Sequence, residues 1–278
     1  MGMRRVCALV LTFLCFANGV AIADIAPSSS PSPSVAQQSG SGPDVTDEDD
    51  PTSRVRTVTL QGTFSGASYG PGNYSASQVI PRLATLYVGK ALLRLSLPRL
   101  QTINGVASGL SDTQLFYLFQ HQERSGAAFV GVFAQFPTAT NPLFGTGKWL
   151  IGPAAAYVFA YKPRAVIAGI LLQSGFSFAG AANRPNQSAI TVLPFGSLRL
   201  QHGWYLKLPE APWIFDLQRG ASIIPLGVGF GKVTTWNTYP MLVALSDEVT
   251  VLRANVVNAP KNTVRLTFTV LLLDQGNR

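Results

Sequence analysis

Charged side chains are scarce in this sequence. Asp, Glu, Lys and Arg make up 12% of the 278 residues, about half of the roughly 25% that is usual for soluble globular domains. A soluble fold with so few charges has little with which to cover its surface, whereas a chain that presents much of its outside to lipid does not need them. The shortage of charge is the first indication of a membrane protein.

Cysteine is almost absent, and both copies, Cys7 and Cys15, lie in a segment that has the features of a secretion signal. Arg4-Arg5 is its basic part, residues 6–20 are its apolar part, and a small-x-small cleavage site ends at Ala23. We expect cleavage between Ala23 and Asp24; the alternative is an uncleaved anchor helix. The mature chain would lack cysteine, which excludes disulfides, thiol nucleophiles and thiolate metal sites.

Long apolar runs are also missing. Beyond residue 23, no uncharged apolar run reaches the roughly 18 residues that a transmembrane helix needs. The nearest approach, residues 143–173, is interrupted by Lys162-Pro163-Arg164. A Pro-Arg pair is costly in lipid but suits a tight turn. The pattern therefore predicts a hairpin of two strands, about 149–161 and 164–177.

Residues for catalysis, metal binding or nucleic-acid binding are few. His121 and His202 are too isolated for a metal cluster, and the proximity of Ser197 to His202 in sequence provides no catalytic geometry. The basic residues are scattered, with 19 against 13 acidic ones once Arg4-Arg5 is removed, so nucleic acid is not expected as a partner. We expect no enzyme activity, no metal and no cofactor.

The segment Gly145-Thr146-Gly147-Lys148 resembles a phosphate-binding loop only in part. A Walker A motif requires a glycine where this chain has Pro142 and a Ser or Thr where it has Trp149. We interpret the segment as a turn that leads into a strand.

Alternating strands dominate the rest of the chain. The clearest are 263–273, with Val264, Leu266 and Phe268 on one face, and 85–98, 203–209 and 241–252. Weaker candidates are 55–64, 113–121, 127–136, 188–199, 213–218 and 221–234. Asp247 and Glu248 are neighbours on a strand and must point to opposite faces. Turn-forming residues are frequent in four segments that we interpret as linkers: 98–111, 137–147, 178–188 and 254–262.

These strands predict an all-β protein with a single transmembrane antiparallel β-barrel of about 10–12 strands. We assign residues 1–23 to the signal, 24–53 to a disordered Pro/Ser-rich acidic arm and 54–278 to the barrel. Strand charges would face a wet lumen; the candidates are Lys90, Arg94, Lys207 and Arg265. Strand-end aromatics would form lipid-interface girdles, namely Trp149, Tyr161, Trp204, Trp236 and Tyr239. A soluble β-sandwich would show a similar strand pattern.

Four segments in order, 143–157, 177–188, 202–206 and 223–241, resemble a family of bacterial outer-membrane β-barrels described as transporters. This family is akin to the outer-membrane proteins of meta-pathway phenol degradation, and some relatives carry the label neuromedin U. The segment 108–119 resembles the Gly-x-x-Asp strand start of the family. The matching positions, to which the resemblance gives structural roles, are Gly145, Gly147, Lys148, Trp149, Gly152, Pro153, Phe178, Gly180, Gly203, Trp204, Tyr205, Pro225, Gly227, Gly229, Gly231 and Lys232.

The resemblance implies a barrel in the bacterial outer membrane that passes small, often hydrophobic molecules, with membrane lipid as a partner. The lumen charges would bias it toward anionic or polarisable solutes. Three alternatives stay open: a closed structural or adhesion barrel without transport, a membrane-embedded hydrolase, and a soluble periplasmic β-sandwich. The sequence identifies neither the solute nor the oligomeric state.

Overall fold

The computed structural model describes residues 56–65, 75–88, 91–103, 106–123, 126–161, 166–236, 239–256 and 259–272. They form fifteen strands: β1 (Arg56–Ser65), β2 (Ala76–Val88), β3 (Ala91–Ser96), β4 (Leu100–Ile103), β5 (Ala107–Leu110), β6 (Thr113–Gln122), β7 (Gly126–Phe136), β8 (Lys148–Tyr161), β9 (Val166–Gly180), β10 (Ser188–Arg199), β11 (Trp204–Leu208), β12 (Trp213–Asp216), β13 (Ala221–Trp236), β14 (Tyr239–Ala254) and β15 (Asn262–Leu272). The expected signal and arm, residues 1–23 and 24–53, lie outside the described residues.

The strands form one antiparallel sheet that returns to its first strand, because β1 pairs with β15 on one edge and with β2 on the other. Three pairs of consecutive segments, β3 with β4, β5 with β6, and β11 with β12, each occupy one position in the ring, since they share neighbouring strands. The described part of the ring therefore has twelve positions. The predicted all-β antiparallel architecture is confirmed, and a ring made by one sheet is a barrel pattern rather than a sandwich.

The two ends of the ring differ in the length of their connections. The start of β1 and the end of β15 are paired at one end, where neighbouring strands are separated by residues 89–90, 123–125, 162–165, 200–203 and 237–238. The opposite end carries most of the longer connections, including 137–147, 181–187 and 255–261. We call these the turn end and the loop end.

Exposed and buried side chains alternate along the strands. In β11, Trp204, Leu206 and Leu208 are exposed, whereas Tyr205 and Lys207 are buried, as the sequence predicted. In a closed sheet, side chains alternate between the interior and the exterior, so the buried set faces the interior. The exposed set is mainly apolar and includes Val130, Val132, Ile151, Tyr157, Phe159, Ile170, Leu172, Phe176, Leu226, Val228, Phe230, Leu245, Val249, Val251 and Leu266.

Two predictions about the strands are confirmed. Strands β8 and β9 are paired as the predicted hairpin, with residues 162–165 outside the described ranges. Glu248 is buried in the interior and Asp247 is exposed outside, so they point to opposite faces. Within the described ranges the structure contains no helix that is long and apolar enough to cross a membrane.

Two of the predicted boundaries were wrong. The single strand expected over 85–98 is two strands, because β2 ends at Val88 and β3 begins at Ala91; the Gly-Lys dipeptide between them in the sequence suits a tight reversal. The linker expected over 98–111 contains the hairpin of β4 and β5. The first boundary was missed because the alternation of apolar and polar residues continues from β2 into β3. The hairpin of β4 and β5 was missed because its sequence is rich in turn-forming residues.

Two of the strand prolines lie at irregular places in the strand pairing. Pro225 lies at a bulge of β13, between the parts that pair with β12 and β11. Pro153 and its neighbour Gly152 have no partner in the β8–β9 ladder, although the register is the same on either side of them. Proline lacks a backbone N–H, so these positions keep the strands continuous without losing a donor that the sheet needs.

Candidate functional site

The interior has two differently lined halves. One half, formed by β3 and β6 to β10, carries an apolar cluster of Leu92, Phe116, Leu118, Ala127, Phe129, Phe133, Ala154, Ala156, Val158, Ile167, Leu171 and Phe195. The opposite half, formed mainly by β1, β11, β14 and β15, carries buried polar side chains: Gln61, Thr63, Lys207, Ser246, Glu248, Thr250, Thr263, Arg265, Thr267 and Thr269. Any molecule inside the ring would therefore meet an apolar surface on one side and hydrogen-bonding groups on the other.

Cross-strand pairing connects eight interior positions into one continuous line, which we call the polar row. Its members, in order around the ring, are Ser197, Lys207, Gly229, Ser246, Arg265, Thr63, Gln78 and Gln101. Ser197 lies near the turn end of β10, and Gln101 lies near the loop end on β4. Because the strands are staggered around the ring, the polar row rises from one end of the interior to the other.

A buried ion pair lies beside the middle of the polar row. Arg265 donates from Nε to Oε1 of Glu248 at 2.8 Å and from Nη2 to Oε2 at 3.0 Å, and the side chains are 9% and 5% exposed. This bidentate geometry is the strong form of an Arg–carboxylate contact. The charge of Arg265 is therefore balanced by Glu248, a partner that the sequence interpretation did not assign to it.

The glycine stripe of β13 makes room for its neighbours. Gly227, Gly229 and Gly231 are two residues apart and face the interior. A Cβ on Gly227 would lie 2.7 Å from Cγ of Glu248, and a Cβ on Gly231 would collide with the ring of Tyr205. The missing side chains therefore allow Glu248 and Tyr205 to lie close to the wall.

The other lumen candidates are placed as follows. Lys207 is buried in the polar row. Arg94 is half-buried and pairs across strands with Phe116, whose ring belongs to the apolar cluster. Lys90 lies outside the described residues. Their influence on selectivity stays a prediction.

At the loop end, Asp112 holds the connection between β7 and β8. Its carboxylate accepts hydrogen bonds from Thr146 N at 2.8 Å, Thr146 Oγ1 at 3.0 Å, Ala139 N at 3.1 Å and Gln135 Nε2 at 3.0 Å. The same connection covers the edge of β5, because Thr140 N donates to the carbonyl oxygen of Leu110. One buried acid thus organises most of residues 137–147.

Arg184, in the connection between β9 and β10, clamps the same segment from the other side. Its Nη2 donates to the carbonyl oxygens of Pro142 and, at 2.6 Å, Gly145, and its Nε donates to that of Thr146 at 3.4 Å. Three segments of the sequence resemblance, which include Asp112, Thr146 and Arg184, therefore meet at one place. The segment Gly145-Thr146-Gly147-Lys148 is therefore a loop held by Arg184. The backbone N–H of Thr146 already donates to the carboxylate of Asp112.

Two glycines of this loop region have backbone conformations that favour glycine. Gly147 has φ +66° and lies against the Arg184 side chain, and Gly180 has φ +122° and would place a Cβ 2.7 Å from Cα of Lys148. Substitution at either position would strain the backbone as well as the contact.

The remaining resemblance positions lie on or near the strand ends. Lys148 is buried at the loop end of β8, Trp149 and Phe178 are exposed near it on β8 and β9, and Gly152 approaches the backbone of Ser174. At the turn end, Trp204 stacks on Phe230 with ring centroids 4.6 Å apart, and the Lys232 ammonium lies 5.0 Å from the Trp204 ring centroid. Gly203 has φ +76° in the turn before β11.

The aromatic positions proposed for girdles fall at strand ends. Tyr161 and Trp204 are exposed at a terminal residue of their strands, and Trp149 is exposed at the second residue of β8. Trp236 and Tyr239 are paired at the turn end of β13 and β14. This placement is the one in which aromatic residues of membrane barrels meet the lipid interface.

The two histidines lie at the turn end, in β6 and in the turn before β11. His121 and His202 are exposed, and Ser197 is buried in the interior. In the described ranges no group of three or more His, Cys, Asp or Glu residues is arranged to hold a metal ion.

The fold is similar to that of an outer membrane channel from Pseudomonas putida F1, with a TM-score of 0.52, 13% sequence identity, and coverage of 78% of this chain and 94% of that chain. A second solved structure, from a study of in-meso crystallisation of membrane proteins, gives a TM-score of 0.43 at 10% identity over 78% of this chain and 84% of that chain. No known family pattern and no curated protein matches the chain. At 13% identity the first likeness shows the fold alone, an antiparallel β-barrel.

Proposed function

We propose that this protein is a bacterial outer-membrane β-barrel that passes small solutes with an apolar or aromatic body and a polar group. The observation that carries the proposal is the polar row, which connects the two ends of the interior and faces the apolar cluster. A solute of this kind could keep its polar group on the row while its body lies against Phe116, Phe129 and Leu171.

The polar half has unused hydrogen-bonding capacity for such a passage. Among the described residues, Gln61 Oε1 and Thr63 Oγ1 are buried without a hydrogen-bond partner. Buried polar atoms normally find a partner, so lumen water or the polar group of a solute would fill this role. Thr63 is itself a member of the polar row.

The exterior supports a membrane location. Large apolar side chains are exposed on neighbouring strands, as on β13 at Leu226, Val228 and Phe230. A soluble protein rarely leaves such an extended apolar surface in water, whereas the outward face of a membrane barrel requires it. The candidate signal with cleavage after Ala23 and the family resemblance agree with export to the outer membrane and with a transporter role.

Solute flux into liposomes tests the proposal. Reconstituted protein should admit benzoate, an aromatic anion, above the rate of protein-free liposomes. Ser246→Phe, which places a ring in the middle of the polar row, should remove most of this flux. Leu245→Phe adds the same ring on the outside of the same strand and should leave the flux at the wild-type level.

A closed barrel is the second candidate, because the apolar cluster is closely packed: Phe129 is 2% exposed and Leu92 is 1% exposed. That reading predicts no flux with any of the three proteins. A correctly folded wild-type protein that admits neither benzoate nor chloride would therefore overturn the channel proposal and favour the closed barrel.

A further inference from the structure

Two aromatic rings lie over glycines at the turn end of the polar row. The ring of Tyr205 on β11 covers Gly231, its cross-strand partner on β13. The ring of Phe195 on β10 covers Gly169, its cross-strand partner on β9. Tyr205 and Phe195 are both buried on the interior side. Each ring fits because the residue opposite it is a glycine and has no side chain.

These two rings flank the first members of the polar row. Phe195 is two residues before Ser197 on β10, and Tyr205 is two residues before Lys207 on β11. Residues two apart on a strand point to the same side, so the rings lie on either side of the Ser197–Lys207 pair. A solute that uses the polar row passes between them at the turn end.

The contact at Gly231 leaves no space for a larger residue. A Cβ on Gly231 would lie 2.6 Å from Oη of Tyr205, 2.8 Å from Cε1 and closer still to Cζ, whereas nonbonded carbon atoms prefer about 3.5–4.0 Å. All three of its nearest neighbours are atoms of this one side chain. The backbone can therefore stay in place while the ring moves away from the wall, toward the interior.

We infer that Tyr205 determines which solutes pass the turn end of the lumen, and that Gly231 is the positioning residue that keeps its ring against the wall. This inference rests on the proposed channel function. It assigns to the third glycine of the β13 stripe a role in permeation: the glycine sets the free width beside the polar row by fixing how far one ring extends into the interior.

Gly231 is a cleaner site for a test than Gly169. A Cβ on Gly169 would lie 2.7 Å from Cε2 of Phe195 but also 2.7 Å from the backbone oxygen of Tyr157. Substitution at Gly169 would therefore disturb the spacing of two strands together with the ring. At Gly231 the added methyl group meets the ring first.

The test compares benzoate and chloride flux in liposomes for the wild type, three variants and one control variant, with folding verified by heat-modifiable gel mobility. Gly231→Ala should lower benzoate flux by roughly twofold or more and chloride flux less, because a narrower passage rejects the larger solute first. Tyr205→Ala should raise benzoate flux. The double variant Tyr205→Ala/Gly231→Ala should recover at least wild-type flux, since the displaced ring is gone.

Gly62→Ala is the control, because it adds the same methyl group to a strand glycine that lies between the buried residues Gln61 and Thr63 and therefore points outward, where the nearest atom would be the backbone oxygen of Leu266 at 3.9 Å. It should change the benzoate-to-chloride ratio less than Gly231→Ala does. A conducting wild-type protein with an unchanged ratio in Gly231→Ala, or a double variant as slow as Gly231→Ala, overturns the inference while leaving the channel intact. A wild-type protein that passes neither solute overturns both.

Discussion

Replacing Arg265 with glutamine should lower the free energy of unfolding by about 3–5 kcal/mol, because it leaves Glu248 as a buried charge without its partner. Glu248→Gln should have an effect of similar size through the opposite charge. The double variant Glu248→Gln/Arg265→Gln should recover much of the loss, since both charges are then removed together. Equilibrium urea unfolding of the liposome-inserted protein, followed by tryptophan fluorescence, measures all three.

The same variants should change ion preference in opposite directions. Arg265→Gln exposes the lumen to the charge of Glu248 and should favour cations; Glu248→Gln leaves the charge of Arg265 and should favour anions. The double variant should lie close to the wild type, because the pair is neutral as a unit. The reversal potential in a potassium chloride gradient provides the sign. A shift in the same direction for both single variants would contradict the assignment of this pair to the lumen wall.

Placing a lysine at Val228 should destabilise the inserted protein by about 2–4 kcal/mol, the cost of a basic residue near the middle of the lipid-facing surface of a barrel. Val228 is 64% exposed and lies between the exposed residues Leu226 and Phe230 on β13. The measurement is the folded fraction in liposomes across a urea series.

Thr234→Lys is the control for this substitution. Thr234 is exposed on the same face of β13, beyond Lys232 and toward the turn end, where a basic side chain can reach the interface and the cost falls to about 0–1 kcal/mol. If the two lysines cost the same, the exposed apolar belt is not in contact with lipid and the membrane assignment of β13 is wrong.

The fold could be predicted in outline because the alternation of apolar and polar residues is local. Trp204 to Leu208 on β11 and the hairpin of β8 and β9 followed from the pattern of the residues themselves. The boundary at Val88 and Ala91 could not be found in this way, because the alternation continues across a two-residue connection without a change of phase.

The site could be predicted only in part, because it depends on the register between strands. Arg265 was recognised as a strand charge, but Glu248 is 17 residues away in sequence, and its position beside Arg265 follows from the pairing of β14 with β15. Asp112 and Arg184 lay in segments that the resemblance had marked, yet the convergence of both on Thr146 requires the β5–β6, β7–β8 and β9–β10 connections to be in place. The pairing of strands determines which side chains meet, and the residue pattern within one strand does not contain this information.

The cellular fraction in which the wild-type protein is found tests the central claim most directly. A protein that crosses the outer membrane as a barrel should sediment with outer membranes, resist extraction by carbonate, require detergent for release and migrate faster on a gel before heating than after. Recovery in the soluble periplasmic fraction without detergent, with the same gel mobility before and after heating, would contradict the account.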